Sequence, residues 1–348
     1  MTASEPGPDT ETSGIPRQTA DAVLMVRPAC FGWNAQTQAS NRFQREVGEL
    51  AGVAQVRAAR EFDVLVGALR EAGVQVFVAD DAPQPQCPDA VFPNNWVSLH
   101  ADGTVVLYPM LAPNRRLERR LEHLVLLERA GGRGVRCLHD LTHHEARGEY
   151  LEGTGSVVFD HVARVAYAAA SPRTHAAPLA ALCDELGYES CLFAASDSGG
   201  VAIYHTNVML AIGSGFVVVA AETIEASRRG DVLARLRDTG RDVVEIDAAT
   251  MARYAANVLE LRAADGARVL ALSHAAVDAL GSHLERLRGH VDRVMAVPIP
   301  TIETLGGGSV RCMLAEVFLP RRVGVLRDRA RAARHGSSRT RGRSRGRC

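Results

Sequence analysis

The chain contains no lysine; all 40 of its basic residues are arginine. That reflects coding composition, but it has a chemical consequence: any anionic ligand group must be held by arginine or by neutral donors. Aromatic residues are sparse at 5%, with only two tryptophans. No run of eighteen apolar residues occurs, which excludes a transmembrane helix. Residues 1–20 are polar, carry Pro6, Pro8 and Pro16, and lack the apolar stretch of a secretory signal. The seven cysteines are scattered and include no C-x-x-C pair. An odd, dispersed set is a poor disulfide framework and fits a reducing cytoplasm better. Neither a G-x-G-x-x-G after a strand nor a Walker A loop is present, so nucleotide binding has no support.

What remains is ordinary for a globular protein: 348 residues, 47% of them hydrophobic, enough to bury a core without disulfides or a structural metal. The net charge of zero hides an uneven distribution. Residues 321–348 hold eleven arginines and one acid, Asp328, for a net +10, which leaves −10 on residues 1–320. An acidic body gives no electrostatic reason to bind nucleic acid. The basic tail fits either an anion-binding arm or an unstructured extension. The expected organisation is a disordered segment at 1–20, one folded domain at 21–320 and an Arg-rich, disordered tail at 321–348.

A unit recurs along the body. Residues 96–100 and 104–108 flank an Ala-Asp-Gly turn, and 156–159 with 164–168, 208–212 with 216–220, and 259–263 with 268–272 flank similar turns. Each reads as a β-hairpin. The turns recur about every 50 to 60 residues, a repeat-scale period. Helical spacing follows each hairpin, at 115–129, 177–186, 225–237 and 273–287, and then a short strand at 135–138, 189–193, 242–246 and 292–297. Residues 23–26, 62–78 and 309–318 provide a fifth unit from both ends of the chain. Such units form either a closed ring with a site on its axis or an open α/β sheet.

Candidate chemistry gathers at the hairpin entries. Cys312 follows Gly306-Gly307-Gly308, which permit close backbone approach, and Arg311 beside it could lower a thiol pKa. His205, before the third hairpin, is a general acid/base candidate with Asn207 two residues on. Glu152 stands beside two glycines before the second hairpin. Each of the three also reads as a packing or turn residue taken alone; together they form a constellation if the units surround one axis. Asp89, Asn94 and Asn95, in Cys87-Pro88-Asp89-Ala90-Val91-Phe92-Pro93-Asn94-Asn95, offer a carboxylate and two amides for an amino acid or a urea-like group. Cys137, His139, His143 and His144 look like zinc ligands but lack a matching second half. The run from Ser196 to Gly200 lacks a protease triad around it. No metal and no cofactor is expected.

Several stretches in order resemble the amidinotransferase, or guanidine-modifying, superfamily: MVRPACFGWNAQTQASNRFQ at 25–44, PDAVFPNNWVSLH at 88–100, YPMLAPNRRLERR at 108–120, LEGTGSVVFD at 151–160, SPRTH at 171–175, IYHTNVMLAIG at 203–213 and LGGGSVRCMLAEVFLP at 305–320. The resemblance covers about residues 22–320 and is greatest to the citrulline ureidohydrolase branch. It implies a five-bladed α/β propeller (pentein fold) over 21–320. It also implies Cys312 as nucleophile, His205 as general acid/base and Glu152 as the acid that contacts substrate nitrogen and histidine. Asp89 would hold the substrate, and Arg116 and Arg173 would bind its α-carboxylate.

Two departures from the deiminase pattern bear on the substrate. Asn95 stands where deiminases place an aspartate, and His205-Thr206-Asn207 replaces their H-x-D. Both exchange a carboxylate for a neutral amide, which suits a ureido group and loses the ionic grip on a guanidinium. The expected activity is therefore cleavage of citrulline to ornithine, ammonia and carbon dioxide through an S-carbamoyl cysteine. Arginine or dimethylarginine hydrolysis and amidino transfer are the alternatives, and a non-catalytic amino-acid-binding protein a more distant one. The expected partner is a small amino acid, with no nucleic acid for the folded body and no membrane; a homo-oligomer is left open.

Overall fold

The structure, a computed structural model, describes residues 17–46, 48 and 51–321. Most of the expected N-terminal segment, the Arg-rich tail from residue 322 and Cys348 lie outside the described residues. Of the segment expected to be disordered, Gln18, Thr19 and Ala20 are buried, and the Gln18 amide donates to Phe159 O and Ile212 O.

The chain begins with β1 (Ala22–Arg27), α1 (Ala51–Glu71) and β2 (Gln75–Asp80). Helix α1 forms because Ala58, Phe62, Leu65 and Leu69 recur at helical spacing and are fully buried. Each such Leu or Phe stabilises the fold by about 1.5–3 kcal/mol. The next unit is β3 (Val97–Leu99), β4 (Thr104–Leu107), α2 (Glu122–Gly131) and β5 (Cys137–Asp140). A third follows with α3 (Gly153–Ser156), β6 (Val157–Asp160), β7 (Val165–Ala170), α4 (Ala176–Leu186) and β8 (Glu189–Ala194). The fourth comprises β9 (Leu210–Ile212), β10 (Phe216–Val219), α5 (Ala226–Asp238) and β11 (Asp242–Glu245). The fifth comprises α6 (Ala248–Met251), β12 (Leu259–Arg262), β13 (Arg268–Ser273), α7 (His274–Leu280), α8 (His283–Arg288) and β14 (Arg293–Val297). Strand β15 (Ala315–Glu316) comes last.

Among the described residues these strands make five separate three-stranded sheets and no closed one. All five share one plan. A first strand pairs antiparallel with a central strand, which pairs parallel with a third reached through a helical connection. In four of them the first two strands are the expected hairpin. The remaining sheet joins the two ends of the described chain: β15 pairs antiparallel with β1, as Val23 opposite Glu316 and Leu24 opposite Ala315, and β1 runs parallel to β2. The first strands of successive sheets lie side by side, β15 against β3, β6 against β9 and β9 against β12. Apolar residues fill the space between sheets and helices.

Two helices differ from the sequence reading. In place of one helix over 115–129 there is a 3₁₀ helix, Pro113–Glu118, then α2, with a non-helical break at Arg119 (ψ 82). Leu117, Leu121 and Val125, expected on its buried face, are exposed, while Leu124 is buried. The helix expected over 273–287 is divided at Gly281, whose φ of 49° and ψ of −122° no helix accommodates.

Candidate active site

The hairpin entries converge. A small cavity of about 10 Å³ is lined by Asn41, Asp89, Phe92, Asn95, Arg115, Arg173, Tyr204, His205, Gly306, Gly307, Gly308 and Cys312. Of the residues expected from sequence, Cys312, His205, Asp89, Asn95 and Arg173 thus share one wall, and Glu152 and Asn207 bond directly to members of it.

Cys312 lies on the 3₁₀ turn Val310–Met313, which leads into β15. The glycine run works as sequence suggests. Gly307 has φ 63°, and a Cβ there would sit 2.6 Å from both Asn41 Nδ2 and Gln44 N. The role expected of Arg311 is not met: its guanidinium donates to Leu314 O and to Glu316 Oε2 at 2.9 Å, a buried pair. Among the described residues, the side chains hydrogen-bonded to the sulfur are amides. Asn257 Nδ2 is 3.3 Å and Asn207 Nδ2 3.7 Å from Sγ. Burial pushes the thiols of Cys87 and Cys183 up to about 11, so these cysteines stay protonated.

His205 and Glu152 face each other, with His205 Nε2 and Glu152 Oε2 2.8 Å apart. Burial pushes the imidazole down to about 4, outweighing the attraction of Glu152. Burial alone would raise the Glu152 carboxyl, but Arg173 and the bond to His205 hold it well below the usual carboxylate range. An ionised carboxylate only accepts, so Nε2 carries the proton and Nδ1 is the free base. Glu152 Oε1 accepts from Leu111 N, which fixes the carboxylate plane.

Arg173 donates to Glu152 Oε2 at 3.3 Å, and its Nε and Nη2 both reach Ser40 Oγ, at 2.9 and 2.7 Å. Segment 34–46 thereby closes over the site. Asn34 Nδ2 donates to Asp89 Oδ2 at 2.7 Å, while Asp89 Oδ1 is buried without a hydrogen-bond partner. Desolvation raises the Asp89 carboxyl. Phe43, on the same segment, packs edge-on against Tyr204. Beyond it lies a larger cavity of about 670 Å³ that shares Tyr204 with the small one and is bordered by Ser40, Phe43 and Tyr254.

Arg116 is not brought to the cavity; it donates to Met110 O and Leu111 O and lies near Glu145. Its neighbour Arg115 is there instead, buried, forking onto both Glu118 oxygens at 2.9 Å and donating to Asn95 Oδ1 at 2.8 Å. Burial works against the Arg115 charge, yet Glu118 and Asp89 outweigh it and raise its pKa. Asn94 is buried behind Asn95 and bonds to it. The sequence reading also missed Asn257, although it sits before β12 as Asn95 sits before β3; the repeat itself carried that signal. Among the described residues no group of three ligands fit to hold a metal occurs, and His139 pairs with Glu185 instead.

Five small sheets of one plan, with a thiol, an imidazole and a carboxylate meeting where they converge, define the pentein or amidinotransferase superfamily of arginine-modifying hydrolases. Residues 27–319 match the family model described as N,N dimethylarginine dimethylhydrolase, eukaryotic, and the chain belongs to that family. Its members are hydrolases of guanidino C–N bonds. No curated protein matches the chain significantly. Solved structures share the fold. One is the N-terminal domain of ArgZ bound to its substrate, an arginine dihydrolase from the ornithine–ammonia cycle in Cyanobacteria; it has a TM-score of 0.66 and 17% identity, over 86% of this chain and 99% of that one. A second is AgrE with L-arginine, at 0.65 and 20%, over 87% and 41%. A third is a dimethylarginine dimethylaminohydrolase adduct with S-methyl-L-thiocitrulline, at 0.58 and 16%, over 85% and 98%.

Proposed function

We propose that the chain is a cysteine hydrolase that cleaves the ureido group of citrulline, on a five-bladed propeller whose blades are the five sheets. One observation carries the choice of substrate: among the described residues, the side chains hydrogen-bonded to the Cys312 sulfur are the neutral amides of Asn207 and Asn257. The Asn207 amide N–H can donate to a urea oxygen, whereas a guanidinium has no acceptor to offer it. Two of the three nearby carboxylates are already engaged, Glu152 by His205 and Arg173, and Glu118 by Arg115, which leaves Asp89 with one free oxygen.

In this reading Nδ1 of His205 takes the Cys312 proton, and the thiolate attacks the ureido carbon. The C–N bond to the side chain breaks, the ornithine amine leaves with the proton from His205, and S-carbamoyl cysteine remains. Water, deprotonated by His205, then releases carbamate, which decomposes to ammonia and carbon dioxide. Glu152 orients the imidazole throughout. Asp89 Oδ1 is an unfilled acceptor for a substrate N–H, and Arg173, freed from Ser40, binds the α-carboxylate. A cavity of about 10 Å³ holds no amino acid, so segment 34–46 must move first, opening towards the 670 Å³ cavity. The requirement for a free thiol agrees with a reducing cytoplasm.

A guanidino substrate is the second reading. It is favoured by the family and by three buried carboxylates, Asp89, Glu118 and Glu152, set against two guanidinium groups, Arg115 and Arg173. The test measures ornithine and ammonia from citrulline, arginine and dimethylarginine with purified protein. Citrulline should be turned over fastest, and Cys312→Ala should abolish ornithine release. Preference for either cationic substrate would sink the citrulline reading.

A further inference from the structure

We propose that Asn257 is a catalytic residue, which holds the Cys312 sulfur as the attacking thiolate through its amide N–H. The inference rests on the proposed role of Cys312 and adds a residue to that site. Asn257 is fully buried, two residues before β12. Its Nδ2 donates to Asn207 O at 3.0 Å and lies 3.3 Å from Sγ. A main-chain carbonyl only accepts, so this bond fixes which end of the amide is Nδ2. The nitrogen carries two hydrogens. One serves the carbonyl, and the other is left for the sulfur.

The backbone around Asn257 is held for this purpose. Asn257 N donates to Tyr254 O at 2.8 Å, closing a turn in which Tyr254 has φ 64°. A bulky L residue rarely adopts that conformation, and where it does the surroundings enforce it. Here Tyr254 OH donates to Glu303 O at 2.9 Å, on the turn that leads to Cys312. One strained turn is thus tied to the sulfur twice, through the Asn257 amide and through the segment that carries the cysteine. Among the described residues no guanidinium is hydrogen-bonded to Sγ, and the neighbouring Arg311 is committed to Glu316. A buried thiolate in this place depends on neutral donors.

The test is alkylation of the full-length protein by iodoacetamide as a function of pH, with the Cys312 peptide followed by mass spectrometry so that Cys30 and Cys137 do not interfere. The titratable and charged groups sharing the cavity, His205, Tyr204, Asp89, Arg115 and Arg173, are unchanged in every arm. In Asn257→Ala the donor is removed; in Asn257→Ser it becomes too short; neither adds a charge to the cavity. Both variants should alkylate Cys312 about tenfold more slowly at neutral pH, a rise of about one unit in the inflection. A folded variant with the wild-type profile would overturn the proposal. So would a wild-type Cys312 that titrates like a free thiol, a result that needs no variant to fold. If the wild type turns over neither citrulline nor arginine, the hydrolase reading fails, while a shifted profile in the variants still upholds the Asn257–sulfur bond.

Discussion

A missing methyl group decides how closely His205 approaches the rest of the site. A Cβ on Gly155 would stand 2.5 Å from Asn95 Nδ2 and 2.7 Å from His205 Nδ1, so no other residue fits without displacing the base. Gly155→Ala should therefore leave a folded protein with kcat/KM lowered about a hundredfold, the scale of a 1 Å misplacement; unchanged steady-state kinetics would contradict this. The adjacent arginines provide a sharper contrast. Arg116→Ala should change KM little, because its guanidinium serves main-chain carbonyls outside the cavity. Arg115→Ala should cost about 3–5 kcal/mol of stability, since it strands Glu118 as a buried, unpaired carboxylate. Urea denaturation of the two variants separates these outcomes. Cys312, Glu152 and Asp89 were legible as candidates because each sits in a motif with glycine or proline around it, and His205 because it stands at a hairpin entry with Asn207 two residues on. Which of two neighbouring arginines faces inward was not, because it depends on the phase of a 3₁₀ helix where the spacing suggested an α-helix.

At the scale of elements, the hairpins were legible because alternating β-branched runs and turn residues mark both ends of each strand. The segment 113–131 was misread for a physical reason. In a 3₁₀ helix residues three apart eclipse each other, which brings Arg115 and Glu118 together and turns Leu117 outward. Of the apolar positions that suggested a single α-helix, Leu117, Leu121 and Val125 face solvent and Leu124 is buried. Segment 34–46 carried no periodic signal at all, since its work is done by single polar contacts. Ser40 Oγ occupies the fork of Arg173 that a substrate carboxylate would need. A hydrogen bond to a charged group contributes about 1.5–3 kcal/mol, so Ser40→Ala should tighten amino-acid binding roughly tenfold. Calorimetric titration into a Cys312→Ala background measures it, and weaker binding would show that Ser40 helps the substrate instead.

For the molecule as a whole, the buried imidazoles make acid a denaturant. An unfolded histidine binds its proton near pH 6.5, whereas His205 does so only near pH 4 in the native state. Between those values the unfolded chain holds more protons, so stability falls as pH falls through this window, by about 3 kcal/mol from His205. His100, held at about 4 by burial, and His161, at about 3, act with the same sign. Chemical denaturation at several pH values should therefore show a slope that His205→Gln makes shallower; equal slopes would mean that His205 is protonated in both states. The pairing of β15 with β1 carries a different kind of consequence, one of timing. Cys312 directly precedes the strand that completes the first sheet, and Asp89, Arg115, Glu152, Arg173, His205, Asn207 and Asn257 all come earlier in the chain. A ribosome delivers the N-terminal parts first. Every residue proposed to restrain, orient or bind is therefore made before the proposed nucleophile, and the nascent protein cannot assemble the site until the strand that closes its first sheet has been translated.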